Sequence, residues 1–453
     1  MKRLILILAL TLSLIFTFAS CSADAPTIEI SEDGYWVING EKTDVKAEGT
    51  QGPAGEKGDT GVQGPAGEKG EQGIPGKDGA GAVDENPLGL AFFLKDDGTY
   101  AVEIGQAKYL SEIEIPATYK GKAVTEVGSF GNVSTDNLIL KKISIADGIK
   151  TIGKSAFDRC KNLESVTLPD SLTTIENSAF RHCRSLTSIE IPDGVTYIGN
   201  SAFYSCTTLT DVSIPDSVTT IDNYAFYDCD SLVSVSDGAN VTTIGSYAFA
   251  YCNNLVSLTI PSGLTSAGVG VFESSNRLVE IINKSSLDIR VNAAPNTIEV
   301  HNGESKIINK DGFIFYPFEG TSYLVSYAGC DTELALPDSF NGEGYEIHSY
   351  AFYESAITSI TIPDSVTAIG DQAFDGCTSL TSVTIGSGVS YIGEYAFNKC
   401  AVKSVTLRNL DNWYHKDKND TSDGYPVPED DLQSPEAVAL ALKYSFNYYW
   451  FRK

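Results

Sequence analysis

The stretch Ile214-Pro215-Asp216-Ser217-Val218-Thr219-Thr220-Ile221, followed by Ala225-Phe226, Cys229 and Leu232, decides how this chain folds, because it returns. Phe157, Phe180, Phe203, Phe226, Phe249 and Phe272 stand 23 residues apart; Phe374 and Phe397 repeat the step, and Phe352 lies 22 before Phe374. A fixed period in this range marks a solenoid, in which one unit cannot bury its apolar face alone and stacked units bury a continuous core. The expected fold class is a β-rich repeat solenoid of about 23 residues per coil with short helical or 3-10 turns.

One coil can be read residue by residue. In Leu163-Glu164-Ser165-Val166-Thr167-Leu168, alternation sends Val166 and Leu168 inward and Ser165 and Thr167 to solvent. Pro169 ends the strand and Pro169-Asp170 turns the chain. Leu172 and Ile175 point in from a second extended segment, and a helical or 3-10 turn brings Ala179, Phe180 and Cys183 to the core. Each buried phenylalanine contributes about 2–3 kcal/mol.

These "IPDSVTTI…AF..C..L" coils resemble the BspA-type leucine-rich repeat family of bacterial surface proteins, over roughly Val124 to Leu407. The resemblance implies a curved right-handed solenoid with a strand ladder on its concave face, and adhesin-like binding of host proteins or other cells. One coil departs: Asp237-Gly238 stands where others have Ile-Pro, so a local bulge is expected. The repeat fades between residues 283 and 346, where Gly312 to Tyr316 and Tyr323 to Tyr327 read as a hairpin across Gly320. The arrays then run over 131–282 and 347–408, with an N-terminal cap over 82–130. A C-terminal cap spans 409–453: Ser434 and Pro435 start a helix that runs to about Tyr444, and an aromatic strand follows.

Ahead of the coils the chain changes character. Lys2 and Arg3 precede an uncharged stretch from Leu4 to Phe18, the shape of a signal peptide over 1–20. Ala19-Ser20-Cys21 resembles the lipobox of bacterial lipoproteins, with Phe18 where leucine is usual, and implies lipidation at Cys21; the alternative is an ordinary secretory signal. Residues 21–48 carry a small hairpin read from Ile28 to Gly40, which resembles the "GYWVING" modules preceding collagen-like tracts. From Gly49 to Gly79 glycine falls at every third position, eleven in phase, so 49–81 is expected to be a collagen-like Gly-X-Y stalk. Its consequence would be a homotrimer through residues 49–79, the alternative being a flexible linker.

Composition narrows the function. Acidic residues number 59 against 32 basic, for a net charge of −27, which argues against nucleic acid as a partner and against electrostatic docking on anionic lipid. Membrane attachment would come through the N-terminal lipid. Cys160, Cys183, Cys206, Cys229 and Cys252 form one column, with Cys377 and Cys400 a second; no CxxC or CxxH spacing suggests zinc, and buried reduced thiols are expected, Cys330 included. None of His182, His301, His348 and His415 sits in a nucleophile motif, and there is no G-x-S-x-G, HExxH or P-loop. No catalytic residue, metal or cofactor is therefore expected.

A recognition surface remains. Ser165, Thr167, Ser188, Glu190, Asp211, Ser213, Ser257 and Thr259 lie on the exposed strand ladder, and Tyr204, Tyr224, Tyr227, Tyr247 and Tyr251 recur near the turn edge. Tyrosine offers rigid amphipathic contact area that suits a protein or glycan ligand. The expectation is a cell-surface, lipid-anchored, non-enzymatic protein that binds extracellular partners. The alternatives are a glycan-capturing surface protein serving polysaccharide uptake and a structural surface component.

Overall fold

The computed structural model describes residues 28–30, 35–38, 41–46, 89–130, 139–236, 238–289, 294–417, 419–444 and 448–453. The leader, Cys21, the Gly-X-Y tract and Asp237 lie outside the described residues. The chain divides into two units, Met1–Val83 and Asp84–Lys453.

In the first unit, Ile28–Ile30, Tyr35–Ile38 and Glu41–Lys46 form an antiparallel three-stranded sheet with the middle strand at its centre. The hairpin read from the sequence thus gains a third strand. Glu41–Lys46 is polar and lacks the alternation that announced the other two.

The second unit stacks coils with three faces. The first face is a strand ladder, in which Ser165–Thr167 and its counterparts pair in parallel. The second carries two-residue strands, Thr151-Ile152, Thr174-Ile175, Tyr197-Ile198, Thr220-Ile221 and Thr243-Ile244, each in register with the next. Ile152, Ile175, Ile198, Ile221 and Ile244 are buried in a column, and the hydroxyls of Thr219, Thr242 and Thr265 each donate to the carbonyl 23 residues back at 3.1–3.2 Å.

The third face is the turn that ends in Ala-Phe-x-x-Cys. It differs from the continuous 3-10 or helical turn expected. The N–H groups of Ser178, Phe180 and His182 donate one coil onward to Asn200, Ala202 and Tyr204 at 2.7–2.8 Å, whereas those of Ala179, Arg181 and Cys183 donate three residues back at 3.2 Å. The alternation is made by two left-handed residues per coil, for instance Ser178 (φ 59°) and His182 (φ 60°), then Tyr224 (φ 57°) and Asp228 (φ 59°). Side-chain-bearing residues there cost about 1–2 kcal/mol each, recovered because every turn gains a second set of inter-coil hydrogen bonds. Gly270 and Gly376 occupy the same positions in two other coils.

Inside, the phenylalanines stack: Phe180, Phe203, Phe226 and Phe249 have ring centroids 5.1–5.3 Å apart and nearly parallel planes. All four are buried. The cysteine column does more than fill space. Sγ of Cys183, Cys206, Cys229 and Cys252 lies 3.1–3.3 Å from the carbonyl oxygens of Phe157, Phe180, Phe203 and Phe226, placing each thiol as a donor from the next coil; the first three of these carbonyls also accept from the cysteine N–H of their own coil at 3.1–3.2 Å. In the last coil of this array Ser275 takes the cysteine's place and donates to Phe249 at 2.7 Å. The described cysteines are all free thiols, and burial pushes Cys160 and Cys206 up to about 12. Cys330 departs from expectation: it is exposed, on a loop rather than on a coil's turn face.

The solenoid starts earlier than the repeat sentence does. Glu112–Ile115 pairs with Lys142–Ile145 on the strand face and Lys122–Val127 with Thr151–Ile152 on the second, so part of the segment assigned as a cap is itself a coil. The hairpin Ala91–Leu94 with Tyr100–Glu103 closes that end. Likewise the insert is partly array: Glu299–His301 extends the first strand face, and Phe313–Phe318 with Thr321–Tyr327 opens the second array's sheet. Glu280, fully buried, ties the insert down by accepting from Ser257 Oγ, Ser305 Oγ and the Lys306 N–H at 2.6–2.7 Å, with His301 Nε2 at 3.0 Å. At the far end Pro435–Tyr444, with Ser434 Oγ accepting from the Ala437 N–H, and Tyr448–Arg452 cover the last coil; Trp450 is buried there.

The two arrays have separate cores. Arg277 bridges them from the first: Nε donates to Tyr350 O at 2.9 Å, Nη2 to Tyr353 O and Nη1 to Asn254 Oδ1.

Candidate functional site

The sequence-derived candidates divide between two faces. Ser165, Thr167, Ser188, Glu190, Asp211 and Ser213 are exposed on the strand ladder. That ladder is cut into three short sheets, with breaks after Ser165–Thr167 and after Ser234–Val235. Asp211 is partly engaged, since Ser234 Oγ donates to it at 2.7 Å. Ser257 and Thr259 are only half exposed, and Ser257 is held by Glu280 beneath the insert. The exposed part of the ladder therefore ends before them.

The tyrosines lie on the turn face and come together. Tyr204 and Tyr227 stack at 4.8 Å, Tyr224 and Tyr247 at 5.3 Å; Tyr224 meets Tyr227 edge-on at 5.7 Å, and Tyr227 meets Tyr251 at 5.1 Å. His182 extends the series, edge-on to Tyr204 at 5.4 Å. The coil period produces the two parallel stacks, Tyr204 on Tyr227 and Tyr224 on Tyr247, because positions 23 apart sit one above the other; the other contacts join neighbours out of phase. Tyr224 keeps 36% and Tyr251 38% of its surface accessible, which is large for rings packed on both sides. Desolvation raises the Tyr227 phenol to about 12, so this hydroxyl stays protonated on an apolar platform. Beside it, Arg181 forms a paired contact with Asp158 at 2.6 and 2.9 Å.

Sequence reading missed a third feature. Where the second array begins, Tyr353 and Glu354 face Asp230, Asn253, Asn254 and Arg277 of the first across a cleft of about 350 Å³. Coil phase makes Asp230 and Asn253 one column, and Asn253 Nδ2 donates to Asp230 Oδ1 at 2.9 Å. Nothing in a single coil says that a second array will stand opposite them. Among the described residues, no group of three or more His, Cys, Asp or Glu could hold a metal ion. Among them, too, no helix is long and apolar enough to cross a membrane.

The family model described as BspA type leucine-rich repeat region matches residues 128–237, 173–299 and 345–416. No curated protein matches the chain. Among solved structures it is similar to a leucine rich cell surface protein of Faecalibacterium prausnitzii A2-165, at 24% identity over 74% of this chain and 97% of that one, with a TM-score of 0.41. It is similar to a leucine rich repeat protein of T. pallidum, at 32% identity over 42% and 88%, with a TM-score of 0.39. A leucine-rich repeat protein from Bacteroides ovatus is 21% identical over 72% and 93%, with a TM-score of 0.26.

Proposed function

The chain belongs to the BspA-type leucine-rich repeat family, and from that premise we propose that it is a non-enzymatic cell-surface protein that binds an extracellular partner protein through its tyrosine edge. The observation that carries the reading is the contiguous packing of Tyr204, Tyr224, Tyr227, Tyr247 and Tyr251 with their outer surfaces left open. Rigid aromatic contact area of this kind supplies binding at little conformational cost. The exposed Ser, Thr and acidic side chains of the neighbouring strand ladder provide polar contacts at its margin. A lipid on Cys21 holds the protein at the membrane. Residues 49–79 join three copies, which multiplies weak single-site binding.

Pull-down with the full chain identifies the partner, and Tyr224→Ala with Tyr247→Ala then weakens its binding at least tenfold. Unchanged binding removes the tyrosine edge from consideration. Palmitate labelling that is equal in wild type and Cys21→Ser removes the anchor, and sedimentation as a monomer removes the trimer.

A further inference from the structure

The cleft between the arrays has a chemistry of its own. Its first wall is built by the Asp230–Asn253 column and by Asn254, whose Nδ2 donates to Asp230 O at 2.8 Å. Its second wall is the loop carrying Tyr353 and Glu354, which is one residue shorter between Phe352 and Ile357 than the equivalent loop between Phe374 and Leu380. The two walls are fixed to each other by Arg277, which is buried and whose hydrogen bonds go to Asn254 and to the carbonyls of Tyr350 and Tyr353. The cavity is thus held in shape before any ligand arrives, and its volume is in the range that accommodates a small molecule.

The lining excludes ligands one class at a time. Asp230 and Glu354 repel an anion. Arg277, in the same wall, repels an ammonium, and three of its five N–H donors are spent on Asn254 and the carbonyls of Tyr350 and Tyr353 rather than on a ligand. The polar side chains disfavour an apolar molecule, which would leave them desolvated without partners. What the cleft has in surplus is acceptor capacity: the amide donors of Asn253 and Asn254 are turned into their own wall, while the carboxylates of Asp230 and Glu354 have lone pairs to fill. Burial already raises the Asp230 carboxyl above its ordinary value, so an O–H donor there relieves a desolvated acceptor.

We infer that this cleft is a binding subsite for a neutral saccharide, a compact ring whose hydroxyls donate to Asp230 and Glu354. The cleft shares no residue with the tyrosine edge, so either can fail without the other.

The test is binding of the full chain to the neutral, acidic and amino-sugar members of a printed glycan array, followed by titration calorimetry with the best neutral disaccharide and with lysine amide. At least one neutral glycan binds, and Asp230→Asn and Glu354→Gln each weaken it about tenfold, while Lys310→Ala, at an exposed site outside the cleft, leaves it unchanged. Glu354 is exposed, so its variant keeps the fold even where Asp230→Asn does not. The assignment is overturned by an array on which no neutral glycan binds, by affinity that survives Glu354→Gln, or by a preference for uronates or lysine amide.

Discussion

The two arrays are made from one coil yet close their strand faces differently. In the second, Glu333–Ala335, Ser359–Ile362, Ser382–Ile385 and Ser404–Leu407 form one unbroken parallel sheet. In the first, the ladder breaks twice, and Val166 and Val235, beside the breaks, stay half-buried. The difference lies in the last inward residue of each strand. Ile362, Ile385 and Leu407 are buried in the second array. At the breaks in the first, the same position holds Leu168, only half-buried, and Asp237 in place of an apolar residue; one residue earlier, the Ser236 hydroxyl accepts from the Ile214 N–H at 2.7 Å. The coil tolerates a lapse on its strand face because its turn face keeps hydrogen-bonding regardless.

That contrast can be broken first at the core. Phe226→Ala and Phe374→Ala delete rings stacked alike, with centroids 5.1 and 5.0 Å from the preceding ring. Each is expected to cost about 3–5 kcal/mol. Equal losses in urea denaturation show that the stack, rather than the ladder, carries both arrays; a much larger loss in the second credits its continuous sheet.

Acid distinguishes the arrays next. His348, at the start of the second, packs edge-on to Tyr323, and loss of solvent pulls its imidazole down to about 4. The unfolded chain takes up this proton below about pH 6.5, and the folded chain does so only near 4. Stability therefore falls as pH drops through that window and is unaffected above it. The wild type loses up to about 3 kcal/mol relative to His348→Gln between pH 7.5 and 4. Parallel pH curves for the two proteins would refute the assignment.

The thiol column predicts a smaller effect. Cys229→Ala in the first array and Cys400→Ala in the second each remove one of the two hydrogen bonds to a phenylalanine carbonyl and cost about 0.5–1.5 kcal/mol. Cys229→Ser costs less than Cys229→Ala, since Ser275 already makes this bond in another coil. If serine proves worse than alanine by thermal denaturation, the thiol acts by packing alone.

Smallest is the left-handed turn. Ser201→Gly relieves a φ of 56° and stabilises by up to about 1 kcal/mol. Gly376→Ala moves the other way, because its φ is 78° and the added Cβ would lie 2.7 Å from Glu354 Cγ. A stabilising Gly376→Ala would show that the turn relaxes freely.

Much of the fold was legible because a 23-residue period is a statement about three-dimensional neighbours: Phe180 over Phe203 and Tyr204 over Tyr227 follow from counting. What depended on contacts out of phase was not legible. Cys183 reaches Phe157 O, 26 residues back, which no alignment of coils singles out. The coil carrying Ile113, Ile115, Val124, Val127 and Phe130 is buried like the others but lacks the Ala-Phe-x-x-Cys sentence. The cleft needed the insert to bring Glu354 opposite Asp230, and Ser257 is held by Glu280 of the next coil.

The raised pKa of the buried thiols has a consequence for durability. Disulfide exchange and oxidation proceed through the thiolate. A thiol at about 12, as at Cys160 and Cys206, is ionised in roughly one molecule in 10⁵ at neutral pH, and it is shielded from reagents as well. The stacked cysteines of the first array, which look poised for miscrosslinking, are therefore slow to react once the coils have closed. The closed fold can thus keep this column reduced even in an oxidising medium.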